Sequence, residues 1–166
     1  MKTSHENTTS TNNQVINIYV INSHNELLLH KQQTTVASNR YQWEIPSINY
    51  SINELSLEST IQDYIYQAVG VTCTLYEAFI RPVTQAQKSS DGRIIIAIIN
   101  QDSPTPSLGS GQYIWIPINR ILKDIHDNPS HYTQAVHNSI ESVVLYLKDI
   151  LKNQSNHYRN EQTKSI

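Results

Sequence analysis

Apolar residues run along this chain in short blocks, and the period of the blocks changes from one to the next. Residues 15–21 (VINIYVI) are β-branched and aromatic, which predicts a strand, and the turn formers Asn22, Ser23, His24 and Asn25 close it. Residues 26–31 (ELLLHK) predict a second strand, its hairpin partner. Residues 43–46 (WEIP) predict a short extended piece, because a residue before proline avoids the α region. The period then lengthens: Leu57, Ile61, Ile65 and Ala68 form one helical stripe. This predicts a helix over 56–69, with Ser56 as its N-cap and Gly70 just past its end. A strand is predicted over 71–80, and the unbroken run IIIAII at 94–99 predicts a strand buried on both faces. Residues 113–116 (YIWI) predict another strand, 120–124 a short helix and 133–152 a long one. Val136, Ile140, Val143, Val144, Leu147, Ile150 and Leu151 define the inward face of that long helix.

The stretches between these blocks are polar. Loops are expected from residue 32 to Tyr41, over 81–93 with its Ser90-Asp91-Gly92, and over 100–112 with prolines and glycines. Both ends, 1–13 and 153–166, are rich in Ser, Thr, Asn and Gln without periodicity, and are expected to be disordered tails. The expected globular unit is therefore 14–152, a single domain. The element order is strand, strand, short strand, helix, strands, helices. It predicts an α+β fold with a mixed sheet between helices.

Composition changes this picture in only a few places. The net charge is −2, with 12 Lys and Arg against 14 Asp and Glu, so the clustered cations of a nucleic-acid surface are not expected. No apolar run approaches the length of a membrane span, and the polar start lacks the apolar segment of a secretory signal. The single cysteine, Cys73, has no internal partner and reads as a small buried side chain, so a reducing cytoplasm is the expected location.

Four segments in order carry a family resemblance. NELLLHK is similar to a second strand that ends in a basic residue, and RYQWEIP to a Trp-x-x-Pro lead-in. ESTIQDYIYQAVGV has helical spacing and a Gly-apolar ending, and YIWIPINRILKDI is similar to a Trp-bearing strand with a short helix. Together they resemble the Nudix (MutT-like) hydrolase superfamily over about 15–152. The resemblance implies a Nudix-like α/β/α sandwich. It also implies the Nudix box, Gly-x5-Glu-x7-Arg-Glu-apolar-x-Glu-Glu-x-Gly-apolar, whose glutamates hold magnesium for attack of water on a phosphoanhydride.

This chain departs from the box where the chemistry sits. Anchored on Gly70-Val71, the family's Arg falls on Asp63 and its helix glutamates on Tyr64, Gln67 and Ala68. The upstream Glu falls on Leu55, or on Glu54 with one insertion, and the first Gly on Asn49. Only Ile65, Gly70 and Val71 agree, and they are structural positions. Magnesium prefers hard oxygen ligands, usually carboxylates, in octahedral geometry. A phenol and a neutral amide are poor substitutes, and alanine is none. The expectation is a degenerate box: no catalytic residues, no metal site, no cofactor and no box hydrolysis. If the helix is merely amphipathic, Tyr64 and Gln67 are ordinary surface residues, and that alternative stays open.

Other chemistry is sparse. The 7 histidines show no metal-ligand spacing, there is no glycine-rich phosphate loop, and there is no nucleophile elbow. The resemblance places Arg40, Trp43, Tyr64 and Gln67 near the nucleotide pocket, and these are the candidate ligand-binding residues. The candidate partners are a nucleotide-like small molecule, a second copy of the chain or another protein. Three functions remain open: a non-catalytic Nudix-like binding or interaction domain, a divergent hydrolase using Glu44, Glu54, Glu58 or Asp63, or an unrelated α+β interaction domain.

Overall fold

The computed structural model describes residues 13–33, 41–51, 56–79, 93–101 and 112–163. The expected loop tips at 81–92 and 102–111, and the expected N-terminal tail at 1–12, lie outside the described residues.

The β-branched first block forms β1 (Asn13–Ile21), and ELLLHKQQ forms β2 (Glu26–Gln33). The turn between them is built by Asn22, which is 3% exposed. Its Oδ1 accepts from the backbone N–H of His24 and of Glu26, both at 3.0 Å, and its amide donates to Glu26 Oε2 at 2.7 Å. Asn25 supplies the positive φ of 57° that the turn needs, a conformation asparagine tolerates. The two strands are antiparallel, but their only paired register is Ile21↔Leu27.

Beyond that point they splay, and one extended segment bridges the opening. β3 (Tyr41–Glu44) pairs with the far end of β2, from His30↔Glu44 to Gln33↔Tyr41. β4 (Ser47–Ser51) pairs with the start of β1, from Asn17↔Ser47 to Asn13↔Ser51. Between them Ile45 is buried, and Pro46, which has no N–H to donate, offers its carbonyl to Ile18 N–H at 2.8 Å.

The IIIAII run forms β6 (Arg93–Ile98), which lies parallel to β1. β5 (Thr74–Phe79) is antiparallel to β6, and β7 (Tyr113–Pro117) is antiparallel to β2. The result is a 7-stranded mixed sheet.

Alternation along the strands sorts the apolar residues into two cores. Ile16, Ile18 and Val20 of β1, Leu28 of β2, and Ile95 and Ala97 of β6 pack against Ile61, Ile65, Ala68 and Val69 of α1 (Leu57–Val69). Tyr19 and Ile21, Leu27 and Leu29, and Ile94 and Ile96 pack on the other face. They meet Ile118 and Ile121 of α2 (Ile118–Asp127), with Val136, Ile140, Val143 and Leu147 of α3 (Gln134–Thr163). Each fully buried Ile or Leu stabilises by about 1.5–3 kcal/mol relative to exposure. A mixed sheet between helix layers is the expected α+β architecture.

Local sequence defines the ends of α1. Ser56 Oγ accepts from Ser59 N–H at 3.2 Å, and Gly70, at φ 76°, donates its N–H to Tyr66 O at 2.8 Å. The second core has a polar pair inside it: Tyr19 and Ser139 share a hydrogen bond, and burial pushes the Tyr19 phenol up to about 12. Asp124 of α2 accepts from Asn128 Nδ2 at 2.8 Å and from Tyr132 OH at 2.9 Å, which closes the α2–α3 joint around a 3₁₀ turn, Pro129–His131.

Four points differ from expectation. β4 is a strand, although SINYS carries too few apolar residues to announce one. The short helix predicted over 120–124 spans Ile118–Asp127. The predicted tail at 153–166 is largely helix, because α3 continues to Thr163. Past Lys152 the helix is tied back by Gln154 Nε2, which donates to Tyr76 OH at 2.8 Å. Leu151, assigned to the buried face, is 46% exposed.

Candidate functional site

On α1 the positions i, i+3 and i+4 share one face, and Tyr64, Gln67 and Ala68 take three different environments there. Ala68 is 0% exposed and belongs to the core. Gln67 is exposed. Tyr64 is half-buried, packs against the α1-side core, and places its hydroxyl 3.1 Å from that of Tyr113 on β7. Burial first, and then the Tyr113 hydroxyl, push the Tyr64 phenol well above its ordinary range, so it stays neutral.

Sheet register extends this contact into a row. His30 of β2 stands opposite Tyr113 on one side and opposite Glu44 of β3 on the other. Directly opposed residues project from the same face, and Leu28 and Tyr113 identify that face as the α1 side. The rings of His30 and Tyr113 lie 5.0 Å apart at 46°. The order is Glu44, His30, Tyr113, then Tyr64 reaching down from α1. All four are half-buried.

The residues expected to share a pocket are not all brought together. Trp43 stands opposite Lys31 and packs against the core on the α2–α3 side, across the sheet from Tyr64. Its carbonyl accepts the N–H of Thr133 at 3.0 Å, just before α3. Lys31 lies 4.1 Å over the Tyr41 ring. Arg40 lies outside the described residues. His30 and Tyr113 were not singled out from the sequence, because their adjacency depends on a register between segments far apart in the chain.

Magnesium does not fit the α1 face as it stands, because a neutral phenol, an amide and a methyl cannot supply hard anionic oxygens. Glu58 and Asp63 of α1 are exposed, Glu44 sits alone at the end of the row, and Glu54 lies outside the described residues. No group of three or more His, Cys, Asp or Glu is placed to hold a metal among the described residues. Cys73 is half-buried rather than buried, and its thiol donates to Gln62 Oε1 at 3.3 Å. Burial pushes that thiol up to about 11, which keeps it protonated and unreactive. A shallow polar hollow of about 570 Å³ opens elsewhere, among Gln42, Pro129, Ser130, Tyr132, Gln134 and His137. Gln42 already donates to the carbonyls of Ser130 and Tyr132 at its wall.

Solved structures share this architecture. A mutT/nudix family protein from Listeria innocua superposes with a TM-score of 0.51 at 14% identity, covering 84% of this chain and 96% of that one. The fold is Nudix-like. An ADP compounds hydrolase matches this Nudix-like fold with a TM-score of 0.51 at 17% identity, over 87% of this chain and 75% of its own. A chain in the complex between the C-terminal domain of mouse MUTYH and human PCNA matches with a TM-score of 0.52 at 12% identity, over 84% and 90%. No family model matches the sequence. No curated protein matches it either. The Nudix-like architecture thus rests on shape, in agreement with the four sequence anchors. No helix among the described residues is long and apolar enough to cross a membrane.

Proposed function

We propose that this chain is a Nudix-like domain that binds a nucleotide-type small molecule and has lost magnesium-dependent pyrophosphohydrolysis. The observation that carries the reading is the state of α1. Where the resemblance puts the magnesium glutamates stand Ala68, sealed in the core, and Tyr64, held neutral against Tyr113. The hydrolase neighbour that acts on ADP compounds supports a nucleotide-type ligand.

A thermal-shift panel of nucleotides, dinucleotides and ADP-ribose, with and without Mg²⁺ and with phosphate release read in parallel, tests this. A ligand at 100 times its Kd adds about 2.7 kcal/mol, a visible rise in melting temperature. The expected result is a magnesium-independent shift without turnover. Magnesium-dependent turnover would overturn the reading in favour of a divergent hydrolase, and neutralising Glu44, Glu54, Glu58 and Asp63 in turn would then identify its acid.

One observation favours a second reading, an interaction domain. The same fold occurs in the MUTYH–PCNA complex, and here α3 exposes Leu145 at 63% and Leu151 at 46%. A sedimentation measurement showing a dimer at micromolar concentration, together with a silent ligand panel, would select it.

A further inference from the structure

α3 carries a stripe whose charges complement the same stripe reversed. We propose that a second copy of this chain docks on it, the two helices antiparallel about a two-fold axis midway between Leu145 and Lys148. This inference rests on the interaction reading above and gives it a partner and a register. The ligand-binding reading does not depend on it.

The argument begins with the faces of the helix. Val136, Ile140, Val143 and Leu147 bury one side of α3 against the sheet. At about 3.6 residues per turn, Glu141, Leu145, Lys148 and Lys152 fall together on the opposite side. All four are exposed, and Leu145, in the middle of the stripe, is 63% exposed. Alternating steps of about three and four residues are the spacing at which two helices meet along a common seam. Because the stripe points away from the sheet, a second helix can lie along it at the usual separation of about 8–10 Å.

Charge selects the arrangement. Glu141 stands at the N-terminal end of the stripe and the two lysines stand toward its C-terminal end. A parallel pair would set Glu141 on Glu141 and lysine on lysine. An antiparallel pair centred on Leu145 would bring Glu141 to Asp149 of the second copy, again like charges. Centring the pair midway between Leu145 and Lys148 sets Glu141 beside Lys152 of the second copy, and two-fold symmetry repeats that contact. Leu145 then lies opposite Lys148 of the second copy and within a turn of the other Leu145. The two leucines and the methylene stems of the two lysines close the middle of the seam, while the ammonium groups reach outward to water. Exposed charge pairs add little affinity, so here they choose orientation and register. A seam of about three turns buries less than the roughly 800 Å² per partner of a stable complex, so a dissociation constant on the order of 100 µM is expected.

The test is sedimentation equilibrium of the full chain up to about 500 µM, at low and at high salt. It compares wild type with Glu141→Lys, Lys152→Glu, the double charge exchange and Leu145→Ser. All three positions are exposed, so the variants should fold, and circular dichroism checks that they do. The expected result is a dimer that weakens as salt screens the pairs. Each single charge variant sets like charges together twice and should weaken the dimer by about fivefold or more, and the double exchange should restore it to within about twofold. Leu145→Ser should weaken it by about tenfold. A general effect on helix stability would not produce the restoration. If wild type stays monomeric at low salt, the proposal falls and the second copy falls as the partner in the interaction reading. If wild type dimerises but the double exchange fails to restore what the single variants lose, or Glu141→Lys tightens the dimer, the seam is overturned while the interaction reading stands.

Discussion

Two of the glutamates that the Nudix resemblance calls for can be put back one at a time, and the structure says the results will differ sharply. Gln67→Glu changes an exposed side chain, and surface substitutions usually fall within about ±0.5 kcal/mol. Ala68→Glu places a carboxyl where the existing side chain is 0% exposed and packed among Ile18, Ile61, Ile65 and Ala97 of one core cluster. Keeping that carboxyl neutral at pH 7, starting from an ordinary pKa of about 4.3, costs roughly 3.7 kcal/mol at about 1.4 kcal/mol per unit. The added volume costs about 1–3 kcal/mol more. The sum, about 5–7 kcal/mol, is comparable with the whole stability of a typical domain, about 5–15 kcal/mol.

The assay is urea denaturation of wild type and both variants at pH 5 and pH 7. A carboxyl whose folded pKa is raised binds more protons in the native state than in the unfolded one, so its destabilisation grows as pH rises. The Ala68→Glu deficit should therefore be smaller at pH 5 by about 2.7 kcal/mol. A deficit below about 1 kcal/mol with no pH dependence would refute the reasoning. It would mean that position 68 reaches solvent and that this face of α1 is still open to a metal.

Three further perturbations have defined outcomes. Gly70→Ala should lower the melting temperature by a few degrees: an added Cβ meets nothing within 4 Å, so the penalty is the positive φ of 76° alone, about 1–2 kcal/mol. Hydrogen bonds from Asn128 and Tyr132 hold the Asp124 carboxyl below its usual range, which contributes stability present above the ordinary carboxylate pKa and lost as pH falls through the folded one. Asp124→Asn should therefore flatten the acid limb of melting temperature between pH 5 and about 2, and an unchanged limb would count against that bonding scheme. Ending the chain after Lys152 should reduce the far-UV helix signal and remove about 0.5–1.5 kcal/mol with the Gln154–Tyr76 hydrogen bond. An unchanged helix signal would restore the disordered tail.

What could be read directly from the sequence was whatever a local pattern encodes. The stripe of Ile61, Ile65 and Ala68, the Ser56 cap and the Gly70 stop all lie within one segment, and the structure reproduces them. The run from Ile94 to Ala97 is buried because it lies between two helix layers, as an apolar run without alternation implies. β4 escaped notice because its partners supply the apolar surface: Ile48 is the one strongly apolar residue in SINYS, and pairing with β1 holds the rest. The end of α3 escaped because NQSNHYRNEQT has no apolar stripe, and the hydrogen bond that anchors it comes from Tyr76 on a distant strand. The site was the least legible part. The family pattern places Trp43 and Tyr64 in one pocket, yet alternation on β3 turns Trp43 to the opposite face. His30 and Tyr113 meet only through the β2–β7 register.

The parallel pairing of β1 with β6 has a consequence for how the chain assembles. β1 is the first of the described strands to be made, and one of its two edges finds its partner only when residues 94–98 have been synthesised. Until then the β3–β4 segment can close one side of the wedge, but the other edge of an Ile- and Val-rich strand stays exposed. Long-range parallel pairing of this kind closes slowly and leaves a nascent chain open to edge-to-edge association. Any fragment that stops short of β6 should therefore aggregate, and refolding of the intact chain should be limited by the arrival of that single isoleucine-rich strand.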